Sequence, residues 1–230
     1  MAILVVVIAG FSVSGQSLIV VNDPVTKQKT AALTAAEKRV MQRDVLPKVR
    51  KILASDVCRE EDYAVSNAAK GAFTRPSSQQ TLVFYQYCQT GNGLGSVGVA
   101  VIENGKLEAS YIAEEGGWTV DVRTLPDIDQ NGLDEAALFF SGGMHQGEGG
   151  TGVEVIEFSN GKLKNLGWFN ADQFFDSAPS IAYRVSVKKG ASPVFYRQKF
   201  TSRNEKTWRP VGKQVQFRLD KPITTFTAVR

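Results

Sequence analysis

The stretch Gly98-Val-Ala-Val-Ile-Glu-Asn-Gly-Lys-Leu107 decides the fold that we expect for this chain. It returns at 152–163 as Gly-Val-Glu-Val-Ile-Glu-Phe-Ser-Asn-Gly-Lys-Leu, with a two-residue insertion. An Asn-Gly pair between two apolar runs is the strongest short signal for a β-hairpin, because both residues accept the positive φ of a type I′ turn. The sequence therefore predicts a β protein built from hairpin units that recur after about 55 residues, near the interval of propeller blades.

A loop rich in oxygen ligands lies between the two copies, Asp127-Ile-Asp-Gln-Asn-Gly-Leu-Asp-Glu135. Ca²⁺ takes about six to eight oxygens at about 2.3–2.6 Å, and a tight loop with polar residues at alternate positions can supply most of them. A solvated acidic surface turn is the alternative interpretation. We expect one structural Ca²⁺, held by the side chains of Asp127, Asp129, Asn131 and Glu135 and by the main-chain carbonyl of Leu133.

The residues after the loop decide between two kinds of calcium motif. An EF-hand is excluded, because Leu138 stands where that motif has a bidentate Glu and because the flanks are strand-like. The apolar run 136–140, closed by Ser141 and two glycines, predicts a buried strand instead.

The pattern D-x-D-x-N-G-x-D-E followed by a strand resembles the calcium loops of FG-GAP and VCBS repeats, the blade units of integrin-type β-propellers. The resemblance extends over roughly residues 98–168 and includes one calcium loop only, since 170–176 lacks the alternating acids and the central glycine. It implies that the side chains of Asp127, Asp129, Asn131 and Glu135 and the carbonyl of Leu133 are the calcium ligands.

The strand-rich part of the chain holds about three blades, whereas closed propellers usually have at least four. We therefore expect a mainly β fold, with antiparallel sheets of blade-like hairpin units that are partly propeller-like, and an N-terminal α-helical element. The boundaries that we expect are a signal peptide at 1–16, a connector and helical segment at 17–75, and an antiparallel β domain at 76–230.

Local signals predict where the helical element begins and is interrupted. Thr34 and Glu37 have the spacing of a capping box, which places the first turn after Thr34. Pro47 predicts a kink or two short helices. A second short helix between Cys58 and Ala69 is a further option.

The first residues favour export. The apolar run Ala2–Phe11, followed by small residues, suits the h-region of a secretory signal peptide. No Lys or Arg precedes the run, so a β-branched core strand is the alternative. Because no run reaches the roughly 18 apolar residues of a membrane span, we expect a secreted or periplasmic protein without a transmembrane segment.

The two cysteines, Cys58 and Cys88, lie outside any C-x-x-C spacing, which argues against a zinc or redox motif. An oxidising compartment would allow them to form a disulfide. Two unpaired buried thiols are the alternative.

Charge is distributed unevenly along the chain. Residues 100–181 contain fourteen acidic and four basic side chains, a net of −10, whereas 182–230 contain two acidic and twelve basic ones, a net of +10. The acidic section surrounds the calcium loop. The basic section alternates with apolar residues, which is typical of the solvent-facing sides of strands, although it would also suit an anionic surface.

The sequence predicts no catalytic residue. His145, the one histidine, lies in a glycine-rich loop, and no nucleophile elbow is present. Core packing or a sugar-stacking platform are both open for Trp118, Trp168 and Trp208.

We therefore expect a calcium-stabilised binding or scaffold protein of the cell envelope. Its partner would be an envelope protein or a polysaccharide, and not a nucleic acid. A structural protein with no ligand beyond the metal is a further option. The enzymatic alternative is a secreted hydrolase directed at polysaccharide, which requires two distant carboxylates that converge beside Trp118 or Trp168.

Overall fold

The computed structural model describes residues 17–26, 31–53, 63–89, 95–114, 116–142 and 147–230. The expected signal peptide, Cys58 and His145 lie outside these residues. The helical segments are α1 (Ala35–Val40), a π-helical turn (Met41–Val45) and α2 (Leu46–Ile52). The strands are β1 (Ile19–Asn22), β2 (Ala64–Gly71), β3 (Gln80–Tyr87), β4 (Ser96–Glu103), β5 (Lys106–Ala113), β6 (Trp118–Leu125), β7 (Glu135–Ser141), β8 (Glu148–Ser159), β9 (Lys162–Phe175), β10 (Ser180–Lys188), β11 (Val194–Ser202), β12 (Arg209–Phe217) and β13 (Thr227–Ala228).

Both Asn-Gly hairpins form as the sequence predicts. Asn104 and Gly105 join β4 to β5 with φ of 50° and 73°, and Asn160 and Gly161 join β8 to β9 with φ of 53° and 69°. Positive φ at both central residues is the signature of the type I′ turn, whose twist matches that of the paired strands. The repeated stretch is therefore two hairpins, each within a different sheet.

The strands form two antiparallel sheets, which confirms the mainly β fold. One sheet has five strands in the order β13-β5-β4-β3-β2. The other has eight, in the order β12-β11-β10-β9-β8-β7-β6, with β1 added to β10. β9 pairs with β10 only at Ile181 and Ala182, and β1 takes the same edge further along, at Val185 to Val187. β1 and β2 belong to these sheets although they precede residue 76, where we expected the β domain to begin.

Three apolar cores hold the layers together. The first lies between the two sheets and joins, for example, Phe84 of the five-stranded sheet to Leu138 of the eight-stranded sheet. The second lies on the other face of the eight-stranded sheet, where Phe139 and Val155 pack with residues of β10 and β11 such as Val185. The third lies under the helices. Most of β7 and residues 153–158 of β8 are therefore buried on both faces, which fits the continuous apolar run of β7.

The helical segment begins with the predicted capping box. Thr34 accepts from the amide of Glu37, and Glu37 Oε2 accepts from the amide of Thr34 at 2.7 Å. A π-helical turn separates α1 from α2, whose first turn contains Pro47. Because Pro has no amide hydrogen to donate to the preceding turn, the interruption predicted at this residue has a direct physical cause.

The helices cover the outer face of the five-stranded sheet. Met41, Val45 and Val49 pack against Val83 and Ile102 in the third core. None of the helices in the described part of the chain has the length and apolar character that spanning a membrane requires.

The option of a second helix between Cys58 and Ala69 is wrong for its described part, because residues 64–69 lie in β2. β2 pairs along β3 from Ala64 to Gly71, and Ala31 adds a bridge to Ala68 on its other edge. Continuous pairing satisfies the backbone of this segment better than an isolated short helix would.

Candidate functional sites

The predicted calcium loop joins β6 to β7 and is anchored in the second core. Ile128 is fully buried there. Its carbonyl accepts from the amide of Gly190, in the turn between β10 and β11, at 3.0 Å. The loop is therefore fixed to the far side of its own sheet.

Asp134 fixes the loop to the other sheet. Its Oδ2 accepts from the amide of Ala72 at 2.8 Å, and its own amide donates to the carbonyl of Ala72 at 3.0 Å. Its Oδ1 accepts from the amide of Asp127 at 3.1 Å. Gly71 leaves room for this contact, since a Cβ atom there would lie 2.7 Å from Asp134 Oδ2. Sequence reasoning did not assign this role, because its partner lies 62 positions away along the chain.

Three of the predicted ligands shape the loop through short-range hydrogen bonds. Asp127 Oδ1 accepts from the amide of Gly132 at 3.0 Å, and Asp129 Oδ1 accepts from the amide of Asn131 at 3.1 Å. Asn131 Oδ1 accepts from the amide of Leu133 at 2.8 Å. Such side-chain to backbone bonds stabilise tight turns. Two backbone nitrogens of the turn are thus bound by carboxylates before any ligand is considered.

Glu135 is the most unusual residue of the loop. Its side chain is 0% exposed, and Oε2 accepts from the amide of Ile128 at 2.8 Å. Oε1 is buried and has no hydrogen-bond partner among the described residues. Burial raises the pKa of Glu135 to about 8; the Ile128 hydrogen bond opposes this shift, and the nearby charge of Asp129 adds to it. A buried carboxylate oxygen without a donor is costly unless a cation or proton occupies it.

The four predicted side-chain ligands therefore lie in one loop, but they are not arranged as the coordination shell of a metal ion. Within the described residues, no three His, Cys, Asp or Glu side chains are grouped so that they could hold a metal ion. Instead, Asn131 Nδ2 donates to Asp129 Oδ2 at 3.0 Å and to Glu157 Oε1 at 3.2 Å. Glu157, a buried residue of β8, is a neighbour of the loop that the sequence pattern did not reveal.

A second feature is an open groove of about 410 Å³ over the ends of β7, β8 and β9. It contains two aromatic side chains, several glycines and two carboxylates that are distant in sequence. The described lining residues are Phe140, Gly142, Glu148, Gly149, Gly150, Gly152, Trp168, Asn170, Asp172 and Gln173.

The groove contains one of the three tryptophans. Trp168 is half-buried in its wall, whereas Trp118 and Trp208 are not among the described lining residues. Of the three tryptophans for which the sequence left a sugar-stacking platform open, Trp168 alone is among the described lining residues of the groove.

Two predicted features are not decided by the described residues. Cys88 directly follows β3, but Cys58 lies outside the described part of the chain, so the disulfide stays a prediction. His145 lies outside it as well.

The resemblance to FG-GAP and VCBS repeats rests on the loop pattern and on the two hairpins. The hairpins and the strand after the loop are present. The assignment to that family stays a prediction. Comparison of the chain with protein-family models, with curated proteins and with solved structures found no match.

Proposed function

We propose that this chain is a secreted or periplasmic β-rich binding protein of the cell envelope, in which the β6–β7 loop holds one structural Ca²⁺. The observation that carries the cation site is Glu135 Oε1, a fully buried carboxylate oxygen that has no hydrogen-bond partner among the described residues. A bound cation would give this oxygen the partner that it lacks, because a positive charge compensates a carboxylate that water cannot reach.

The ligand set follows from the loop. Asp127, Asp129, Asn131 and Glu135 supply oxygen donors within nine residues, and the Leu133 carbonyl is the expected main-chain ligand. Oxygen donors of this kind suit Ca²⁺ rather than a soft metal. Asp134 is not among the expected ligands, and its two carboxylate oxygens accept from the backbone amides of Ala72 and Asp127.

The consequence of binding would be mechanical. The loop contacts Ala72 at the end of β2, Gly190 beside β10 and Glu157 of β8. A cation held by the loop would therefore stiffen the junction of both sheets. Extracellular modules often bind Ca²⁺ with dissociation constants of about 10⁻⁴–10⁻³ M, which suits a structural ion outside the cytoplasm.

Thermal unfolding of the wild type and of Glu135→Gln, each in EDTA and in millimolar Ca²⁺, tests the site. At ten times the dissociation constant, Ca²⁺ should stabilise the wild type by about 1.4 kcal/mol, which raises Tm by about 3–6 °C. Glu135→Gln keeps an acceptor for the Ile128 amide and replaces a carboxyl group that can ionise to bind a cation with an amide that cannot ionise. It should therefore match or exceed the wild type in EDTA and lose the response to Ca²⁺.

Mg²⁺ at the same concentration is the control for a general effect of ionic strength. An equal rise of Tm in Glu135→Gln, or no rise in the wild type, would show that the loop is an ordinary acidic turn.

A hydrolase that acts on polysaccharide is the second candidate, and the groove favours it. Glu148 and Asp172 lie far apart in sequence, yet both line the groove beside Trp168. Burial raises the pKa of Asp172, although the hydrogen bonds from Thr151 oppose the shift. A carboxyl with a raised pKa is the group that a general acid requires.

Release of reducing ends from polysaccharides, measured for the wild type, Glu148→Gln and Asp172→Asn, tests this second candidate. A hydrolase should lose at least a hundredfold in rate in one of the two variants. Background release that is the same in all three proteins would leave binding as the function.

A further inference from the structure

The groove at Trp168 is built from three adjacent strands. Phe140 of β7, Gly152 of β8 and Asn170 of β9 occupy paired positions across the sheet. A Cβ atom at Gly152 would lie 3.0 Å from the Phe140 ring and 3.6 Å from the Trp168 ring. Gly152 therefore lies against both rings, and its missing side chain lets the Phe140 and Trp168 rings lie over this part of the strand.

Two further glycines of β8 lie next to it along the strand. Gly149 and Gly150 also line the groove, and a Cβ atom at Gly150 would lie 2.4 Å from the carbonyl oxygen of Asp172. A side chain at this position would push β8 away from β9. Gly150 therefore lets β8 and β9 pair closely beneath the two half-buried aromatic rings, which form an apolar floor.

Polar groups surround this apolar floor. Asp172 Oδ1 accepts from the amide of Thr151 at 2.7 Å, which fixes the carboxylate. Three other polar side chains of the groove have no hydrogen bond or ion pair among the described residues, and they can therefore bond to a ligand: Glu148, Asn170 and Gln173. Two carboxylates and two amides offer both acceptors and donors at short reach.

The charge of the groove disfavours anionic ligands. No Lys or Arg is present among the described lining residues, and the two carboxylates repel anions. A purely apolar ligand is also disfavoured, because it would desolvate the carboxylates and amides without hydrogen bonds in return. A neutral ligand with an apolar face and many hydroxyl groups satisfies both requirements.

A sugar ring has this combination. Its C–H face can lie on an aromatic ring, while its hydroxyls bond in pairs to carboxylate and amide side chains. We propose that the groove over β7–β9 binds a neutral saccharide, with Trp168 as the stacking residue and Asn170, Asp172 and Glu148 as hydroxyl partners. This names the partner class of the binding function proposed above, and it does not depend on the cation site.

An array of immobilised neutral and acidic glycans, followed by affinity measurement on the retained glycan, tests the proposal. Neutral glycans should be retained. Trp168→Ala should weaken binding by about tenfold or more, since it removes one stacked aromatic surface. Trp208→Ala removes a tryptophan outside the groove and is the matched control, which should bind as the wild type does.

Asn170→Ala is a second groove variant that should fold even if Trp168→Ala does not, because Asn170 is exposed and its side chain has no hydrogen bond or ion pair among the described residues. It should weaken binding by about fivefold, the range of one hydrogen bond. Retention of acidic glycans alone, of no glycan, or wild-type affinity in both groove variants would overturn the proposal.

A cation variant separates the two proposals. Glu135→Gln in EDTA, measured well below its Tm, should still bind the neutral glycan. A wild type that binds the glycan but does not respond to Ca²⁺ would leave only the groove, and a wild type that responds to Ca²⁺ but binds no glycan would leave only the cation site.

Discussion

Glu37 shows how one buried carboxylate can serve two elements. It closes the capping box with Thr34, and its Oε1 accepts from Lys70 of β2 at 2.7 Å and from the hydroxyl of Thr81 of β3. Burial alone would raise its pKa, but the hydrogen bonds from Lys70, Thr81 and Thr34 outweigh burial and lower the pKa to about 2. The Glu37 carboxylate therefore links the helical segment to the five-stranded sheet through hydrogen bonds.

A pH dependence follows from this carboxylate. Since its pKa is about 2 in the folded protein and 4.5 as the ordinary value, its contribution to stability is present above pH 4.5 and is lost as the pH falls towards 2. Glu37→Gln should lower the free energy of unfolding by about 1–2 kcal/mol at pH 7. The difference from the wild type should narrow between pH 4.5 and 2. Urea unfolding at pH 7, 4 and 3 measures it, and a constant difference would contradict the assignment.

Asp134 is the second residue with a role that one substitution can test. Asp134→Ala leaves the amides of Ala72 and Asp127 without their acceptor. We expect the free energy of unfolding to fall by about 2–3 kcal/mol, as for hydrogen bonds to a charged group. Asp220→Ala is the control, because Asp220 is exposed and contributes a backbone bridge only. Chemical denaturation measures the free energy of unfolding of both variants. An equal loss of stability in the two variants would refute the role of Asp134.

At the scale of the element, the hairpins depend on backbone conformation more than on contacts. Gly105 has φ of 73°, and a Cβ atom there would meet nothing within 4 Å. Gly142 also has open space around it, but not a positive φ. The two glycines therefore differ in backbone conformation, whereas an added side chain would meet no neighbour at either position.

Gly105→Ala should destabilise the protein by about 1–2 kcal/mol, because an L side chain resists the left-handed conformation. Gly142→Ala should be neutral within about 0.5 kcal/mol. Thermal unfolding of the two variants under the same conditions compares them directly. If both variants lose the same stability, the turn conformation is not what restrains this hairpin.

At the scale of the whole molecule, the C-terminal segment holds the layers together. Asp220 bridges to Trp168 of β9, Phe226 packs against the first core, and Val229 belongs to the third. Glu154 of β8, only 1% exposed, accepts from the amides of Ile223 and Thr224 at 2.9 and 2.7 Å. This segment crosses from one sheet to the other and supplies two backbone donors to the buried carboxyl group of Glu154.

A chain that ends at Pro222 should lose much of its stability. Removal of residues 223–230 leaves Glu154 without these two donors, a change that costs about 1–3 kcal/mol for a buried acceptor, and it uncovers part of two cores. We expect Tm to fall by about 10 °C or more. Removal of the exposed Arg230 alone is the control. A melting curve within 2 °C of the full chain would show that the segment only lies on the surface.

Local features of the fold were readable from the sequence. The Asn-Gly turns, the strand after the β6–β7 loop, the capping box at Thr34 and the interruption near Pro47 all depend on neighbours within a few residues. Such signals act through backbone conformation and short-range hydrogen bonds, which the order of residues specifies directly. The loop pattern likewise identified Glu135, whose buried oxygen is the main support for a cation.

Other features depended on tertiary structure, because their partners are far apart in the chain. Asp134 meets Ala72, Glu154 meets Thr224, and Glu148 and Asp172 line the same groove from two different strands. β2 became a strand through its pairing with β3, against its local option of a helix. The sequence by itself determined the turns, the caps and the class of fold, since these are local. Only the packing of two sheets decided which buried charges found partners, since burial and proximity are properties of the folded whole.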